Sequence, residues 1–175
     1  MTETYRPTVG WGRVGTLFTL APVWRYMNAR IDAVRVAGTP EGPVGVLVIA
    51  VDGRDEVLPI FVGIEEASSI AHGLDAEDIG RPLTHDLLLD VMEELGGRVD
   101  RVVVSRIEDS TYYADLHVQT RRDEVVVDAR PSDSLALAVR TNAPIEVADE
   151  VFDVGGQPRE EFEELLDVRE VAGYA

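Results

Sequence analysis

Two segments of the chain place an Arg-Pro pair just before a hydroxylated residue, an acidic residue and a helical pattern. The first is Arg81-Pro82-Leu83-Thr84-His85-Asp86, and the second is Arg130-Pro131-Ser132-Asp133. The N-terminus of a helix presents unpaired N–H groups and the positive end of its dipole. Each segment therefore predicts a binding site for a phosphate or another anion.

The first segment carries side chains that can do acid–base chemistry. His85 and Asp86 lie in the first turn of the predicted helix. A His can act there as general acid or base, and an Asp can bind a metal or orient the His. We expect both residues to be catalytic and Arg81 to contact phosphate. The alternative is structural, with Thr84 capping the helix and Asp86 complementing its dipole.

The second segment, together with the acid before it, predicts a hydrolytic centre. We expect Asp128 and Asp133 to be catalytic and to bind Mg²⁺ or Mn²⁺, because hard divalent ions prefer carboxylate oxygens. Arg130 would clamp a phosphate bidentately, and Ser132 would add a hydroxyl contact. The alternative is a salt bridge from Arg130 to a carboxylate and a helix N-cap at Ser132.

Glu65 and Glu66 open another predicted helix, and we expect Glu66 to be a third metal ligand. The helix dipole alone would also explain acids at that place. The three helix N-termini can form one site only if they share one end of the sheet. Carboxylates more than about 10 Å apart cannot hold one ion, because each ligand must approach within about 2.6 Å. No organic cofactor is expected.

The charge composition indicates adaptation to concentrated salt. The chain has 175 residues and a net charge of −17, and Lys is absent, so all 16 basic residues are Arg. Acidic side chains spread along the chain are typical of a halophilic protein, whose self-repulsion is screened over about 3 Å at 1 M salt. A haloarchaeal source is our first expectation, and in that medium charge says little about partners.

The residue content also excludes several site classes. Cys is absent, which excludes disulfides, Cys-ligated zinc and a thiol nucleophile. Without Lys there is no Walker A phosphate loop. No Ser stands in a Gly-x-Ser-x-Gly elbow, so a Ser-His-Asp hydrolase is poorly supported.

Hydrophobic periodicity predicts a single α+β domain with a mostly antiparallel sheet and three main helices. The short connections between consecutive strands require antiparallel neighbours. The predicted helices cover 65–74, 84–95 and a segment that follows an N-cap at Ser132. The predicted strands are 28–36, 44–51, 57–62, 98–107, 111–119, 124–129 and 145–148.

The domain is expected to cover residues 27–150. Residues 1–26 are predicted to be a loose extension, with Met27 as the true start, and 151–175 an acidic, partly helical tail. The apolar stretch 14–24 is interrupted by Pro22 and is shorter than the roughly 20 residues of a spanning helix. We therefore expect no membrane association, and the absence of Cys indicates a cytoplasmic protein.

Three blocks of the sequence resemble the bifunctional nuclease (BFN, DUF151) family. They are Leu58-Pro59-Ile60-Phe61-Val62-Gly63 with Glu66-Ala67, then Arg81 to Leu88, then Asp128 to Ala138, and the resemblance spans about 28–150. The resemblance implies a compact α+β domain with DNase and RNase activity. It carries over no catalytic residues.

Two functions remain open from the sequence. The first is a metal-assisted nuclease that hydrolyses phosphodiester bonds of DNA or RNA, which the resemblance and the acidic helix N-termini favour. The second is a non-catalytic domain that binds an anion or a protein at the same N-termini. Nucleic acid and a second copy of the chain are the partners we consider.

Overall fold

The sheet begins with a long hairpin in the computed structural model, which describes residues 25–76 and 80–171. Strand β1 is Tyr26–Thr39, β2 is Gly42–Val51 and β3 is Val57–Val62. All three pair antiparallel with their neighbours in sequence, as their short connections require. The predicted extension 1–26 falls almost entirely outside the described residues.

Four further strands complete the main sheet in the order β3-β2-β1-β7-β4-β5-β6. They are β4 (Arg98–Glu108), β5 (Thr111–Gln119), β6 (Glu124–Ala129) and β7 (Ile145–Ala148). The pairing of β4 with β7 is parallel, whereas the other pairs in the described part are antiparallel. The α+β class and the mostly antiparallel sheet are thus confirmed.

Three helices of eleven or twelve residues accompany the sheet. They are α1 (Ile64–Asp75), α2 (Thr84–Glu94) and α3 (Pro131–Thr141). Apolar residues of α1 and α3 share one core with the sheet. Its fully buried members include Val34, Leu47, Ile49, Ile70, Val104 and Leu135. No helix in the described residues is long and apolar enough to cross a membrane.

Helix α2 differs from the other two because none of its residues is buried. The apolar residues at helical spacing along α2 stay open to solvent, with Leu87 56% and Val91 48% exposed. Partly buried Leu89 is the residue through which α2 packs against the core. The first turn of α2 is therefore held mainly by polar contacts.

The segment after β7 is part of the fold. It forms α4 (Asp149–Gly155), α5 (Glu160–Glu163), β8 (Leu166–Asp167) and α6 (Val168–Val171), and β8 pairs with β1. Phe152 and Phe162 are buried. The sequence predicted a partly helical acidic tail here. Four glutamates flank Phe162 in the sequence, which is typical of a solvent-exposed segment, so these buried contacts were not predicted.

Gly45 allows α1 to lie directly on β2. A Cβ added at Gly45 would be 2.4 Å from the Cβ of Ala67. We expect Gly45→Ala to lower the free energy of unfolding by about 1–3 kcal/mol, because α1 must shift. Urea denaturation measures this, with Gly38→Ala as control, since nothing lies within 4 Å of a Cβ there. Equal stabilities of the two variants would show that α1 does not press on β2.

Candidate active site

The N-terminal ends of α1, α2 and α3 meet at one cleft of about 340 Å³. Each helix supplies polar side chains from its first two turns, because those turns face the common space. The lining residues are Glu65, Glu66, Ser69, Leu83, Thr84, His85, Arg130 and Asp133. The structure therefore brings together residues from all three sequence blocks.

The two predicted N-caps are wrong by one or two residues. Leu83 is the N-cap of α2, and its backbone N–H donates to Oδ2 of Asp86 at 2.9 Å. Arg130 is the N-cap of α3, because Pro131 takes the first helical position that proline favours. Thr84 and Ser132 thus lie inside their helices, and their hydroxyls do not cap them.

Arg130 links two carboxylates at the mouth of the cleft. Its Nε and Nη2 donate to Asp133 at 2.6 and 2.9 Å, and its Nη1 donates to Glu66 at 3.3 Å. These bonds raise the pKa of Arg130 and hold the pKa of Asp133 below its ordinary value. A guanidinium has five N–H donors. Two donors of this exposed side chain remain for an anion.

His85 lies between Asp133 and Ser69. Its Nε2 is 3.5 Å from Oδ1 of Asp133, and its Nδ1 is 3.0 Å from Oγ of Ser69. Nη2 of Arg140 donates to the same Oγ at 3.3 Å. The Ser69 hydroxyl can donate to Nδ1 or accept from an N–H there, and Nε2 is directed toward Asp133 and the cleft.

Arg140 fixes the back of the cleft. Its side chain is only 7% exposed, and its Nε donates to Oδ1 of Asp86 at 2.6 Å. Its Nη1 donates at 3.0 Å to the carbonyls of Ser69 and Ala136. Burial alone would raise the pKa of Asp86, but the hydrogen bonds from Arg140 and Leu83 outweigh it, and the pKa is lowered. Asp86 is therefore a structural partner of Arg140.

The predicted metal ligands are not gathered into one group. Within the described ranges, no three His, Asp or Glu side chains are placed to hold one ion. Val127 of β6 lies opposite buried Leu116, so neighbouring Asp128 points to the other face of the sheet, where it pairs with Arg106 at 3.5 Å. Glu66 and Asp133 instead share Arg130. The carboxylates of the described residues therefore do not fit a single bound metal ion.

Two predicted phosphate contacts lie outside the cleft. Arg81 is exposed and does not line it, and Ser132 lines a neighbouring pocket. These placements leave Arg130 as the predicted phosphate ligand that faces His85. The role of each residue stays a prediction.

Sequence reasoning missed Ser69 and Arg140. Helical spacing could have found both, because residues three, four or seven apart share a helix face. Ser69 follows Glu66 by three residues on α1, and Arg140 follows Asp133 by seven on α3. A polar residue on the same helix face as a predicted site residue would have indicated both.

Acid should destabilise this cluster. Asp86 and Asp133 have pKa values lowered from an ordinary 3.8. Their contribution to the free energy of unfolding is therefore complete above pH 3.8 and is lost as the pH falls through the lower pKa values of the folded protein. We expect the urea midpoint to be constant down to about pH 5 and to fall below about pH 4. Asp133→Asn should flatten this fall more than Asp52→Asn does, and equal pH profiles would contradict the assignment.

Comparison with known proteins identifies a shared domain. Residues 46–160, more than half of the chain, match the model of the bifunctional nuclease domain. This range contains α1, α2 and α3 and every residue of the cleft.

Relatives come from a bacterium and from plants. An uncharacterized protein of Mycobacterium tuberculosis is 36% identical over 129 residues, which are 74% of this chain and 76% of the relative. Bifunctional nuclease 2 of Arabidopsis thaliana is 31% identical over 99 residues, 55% of this chain but only 30% of the plant protein. The bifunctional nuclease of Oryza minuta is 27% identical over the same shares. None of these relatives supports the haloarchaeal assignment.

Proposed function

Because the chain belongs to the bifunctional nuclease domain family, we propose that it hydrolyses phosphodiester bonds of DNA or RNA. The proposed place of this reaction is the cleft between α1, α2 and α3. The observation that carries the proposal is the contact between His85 and Asp133. Arg130 donates to both Asp133 and Glu66 and so connects these two carboxylates. An acid–base group, an anion ligand and two carboxylates thus face one space.

Each group has a chemical role in this proposal. The two remaining donors of Arg130 bind non-bridging oxygens of the phosphate. Glu66 takes a proton from the attacking water, the new P–O bond forms, and the bond to the leaving oxygen breaks. As the imidazolium, His85 gives the leaving oxygen the proton held on Nε2 and keeps the proton on Nδ1, which faces the Ser69 hydroxyl. Ser69 and Arg140 act through His85, because they keep its Nδ1 side hydrogen-bonded.

The charge of the cleft sets a condition on the substrate. Glu65, Glu66 and Asp133 face a single guanidinium, that of Arg130. A phosphate therefore approaches only when cations screen the carboxylates. We propose that salt and a divalent ion such as Mg²⁺ or Mn²⁺ stimulate the reaction.

The proposal is tested with fluorogenic DNA and RNA oligonucleotides in molar KCl, with Mg²⁺, Mn²⁺ or EDTA. We expect cleavage of at least one substrate and a higher rate with a divalent ion than with EDTA. Cleavage that is equal in EDTA would reject metal assistance and keep the nuclease. Absence of cleavage in every mixture would reject the nuclease.

A non-catalytic binding domain is the second candidate. The observation that favours it is the pairing of Arg130, which already donates to Asp133 and Glu66. Such a site can bind an anion without turning it over. Equilibrium binding of an oligonucleotide that survives the assay intact would support this candidate.

We also propose that the chain is a cytoplasmic protein adapted to high salt. Its net charge is −17 with no Lys. Lowering the salt from 1 M to 0.1 M lengthens the screening distance from about 3 to about 10 Å, so repulsion between acids should destabilise the fold. We expect the melting temperature to fall as salt is removed. An unchanged or rising melting temperature would reject the adaptation.

A further inference from the structure

A second pocket adjoins the cleft on the other side of the Glu66–Arg130 pair. It has a volume of about 370 Å³, within the range of small-molecule sites. Val62, Tyr112 and Pro131 give it apolar walls, and Glu66 and Arg130 line both the pocket and the cleft. A ligand held by Arg130 can therefore extend into either space.

Phe61 lines this pocket and is 58% exposed. Its strand neighbours differ sharply, since Leu58 is fully buried and Ile60 is 3% exposed. An aromatic ring at the rim of a pocket offers a flat apolar surface to a planar ligand. Aromatic side chains in such places stack on nucleobases, and they do so with little sequence preference.

Ser132 supplies a polar group in the same pocket. The residue is only 6% exposed and lines the pocket wall. A hydroxyl can both donate and accept, so Ser132 can hydrogen-bond a ligand from the first turn of α3.

We propose that this pocket binds the base of a nucleotide whose phosphate lies on Arg130. The proposal rests on the proposed function and specifies its substrate class, an unpaired strand. A nucleotide joins base and phosphate through one sugar, so both can bind only if the two subsites adjoin, as they do across Glu66 and Arg130. A paired base stays stacked inside its duplex and cannot enter.

Nucleoside monophosphates test the pocket without turnover, because they contain no phosphodiester bond. Calorimetry in molar KCl compares adenosine 5′-monophosphate with ribose 5-phosphate, which lacks the base. We expect the nucleotide to bind about tenfold more tightly, the usual contribution of one stacked base. Equal affinities, or no binding of the nucleotide at about 1 mM, would overturn the proposal.

Variants assign the effect to the pocket. Phe61→Ala should weaken nucleotide binding about tenfold and leave ribose 5-phosphate unchanged, whereas Phe61→Trp should retain the affinity. Ser132→Ala should weaken nucleotide binding several-fold. Tyr26→Ala is the matched control, because Tyr26 is 48% exposed and does not line the pocket. A Phe61→Ala protein that binds the nucleotide like the Tyr26→Ala protein would overturn the assignment.

The outcome separates this inference from the nuclease itself. Oligonucleotide cleavage without a base-dependent affinity rejects the pocket and keeps the nuclease. Base-dependent binding that Phe61→Ala weakens, in a protein that cleaves nothing, rejects the nuclease and keeps the pocket.

Discussion

Replacing His85 by Asn is expected to slow phosphodiester cleavage by about 10²–10⁴-fold, the usual loss when a general acid is removed. His85 is the acid–base side chain that contacts Asp133, and its side chain is 16% exposed toward the cleft. Asparagine keeps a polar group of similar reach but cannot transfer a proton near neutral pH. The measurement is the initial rate on a fluorogenic oligonucleotide, with the melting temperature recorded for both proteins.

Ser69→Ala separates the proton-transfer role of His85 from a purely structural one. Loss of the Ser69 hydroxyl removes the hydrogen-bond partner of Nδ1, so we expect a smaller fall in rate and a shifted pH–rate profile. Ser69→Thr keeps the hydroxyl and should restore both. A His85→Asn protein that cleaves at the wild-type rate would remove His85 from the mechanism.

Replacing Arg140 by Met is expected to cost about 3 kcal/mol of unfolding free energy, near the lower end for breaking a buried ion pair. The lower end applies because Asp86 is 35% exposed and keeps some contact with water. The change also removes the donors to the carbonyls of Ser69 and Ala136. Urea denaturation gives the value.

An exposed ion pair provides the control for Arg140. Arg54 contacts Asp153 at 3.2 Å, and both side chains are open to solvent. Arg54→Met should cost less than about 1 kcal/mol. Adding Asp86→Asn to Arg140→Met should recover part of the loss, since no buried charge is then left unpaired. Similar losses for Arg54→Met and Arg140→Met would contradict the buried role of Arg140.

Local patterns in the sequence were sufficient to place the strands and the three main helices. Runs of β-branched residues predicted strands such as β2 and β4, and these signals are carried by neighbouring residues. The exposure of α2 was not predictable in this way. An apolar stripe such as Leu87 and Val91 has the same spacing whether or not another surface covers it.

The site was predictable where its residues lie in the first turn of a helix. Glu66, His85 and Asp133 share that position, Arg130 is the N-cap just before it, and the three N-termini do meet. Asp128 was grouped with them because it is near in sequence. Side chains alternate along β6, and Val127 lies opposite buried Leu116, so Asp128 points to the opposite face of the sheet. This register between β5 and β6 could not be read from the sequence around Asp128.

The most direct test of the proposed active site is the cleavage rate of wild-type and Asp133→Asn proteins purified identically, in molar KCl on one single-stranded oligonucleotide. Asp52→Asn, on the exposed turn between β2 and β3, controls for the loss of one surface charge. We predict that Asp52→Asn cleaves like the wild type and that Asp133→Asn is slower by about 10²-fold or more. Equal rates for all three proteins would show that the activity does not come from this cleft.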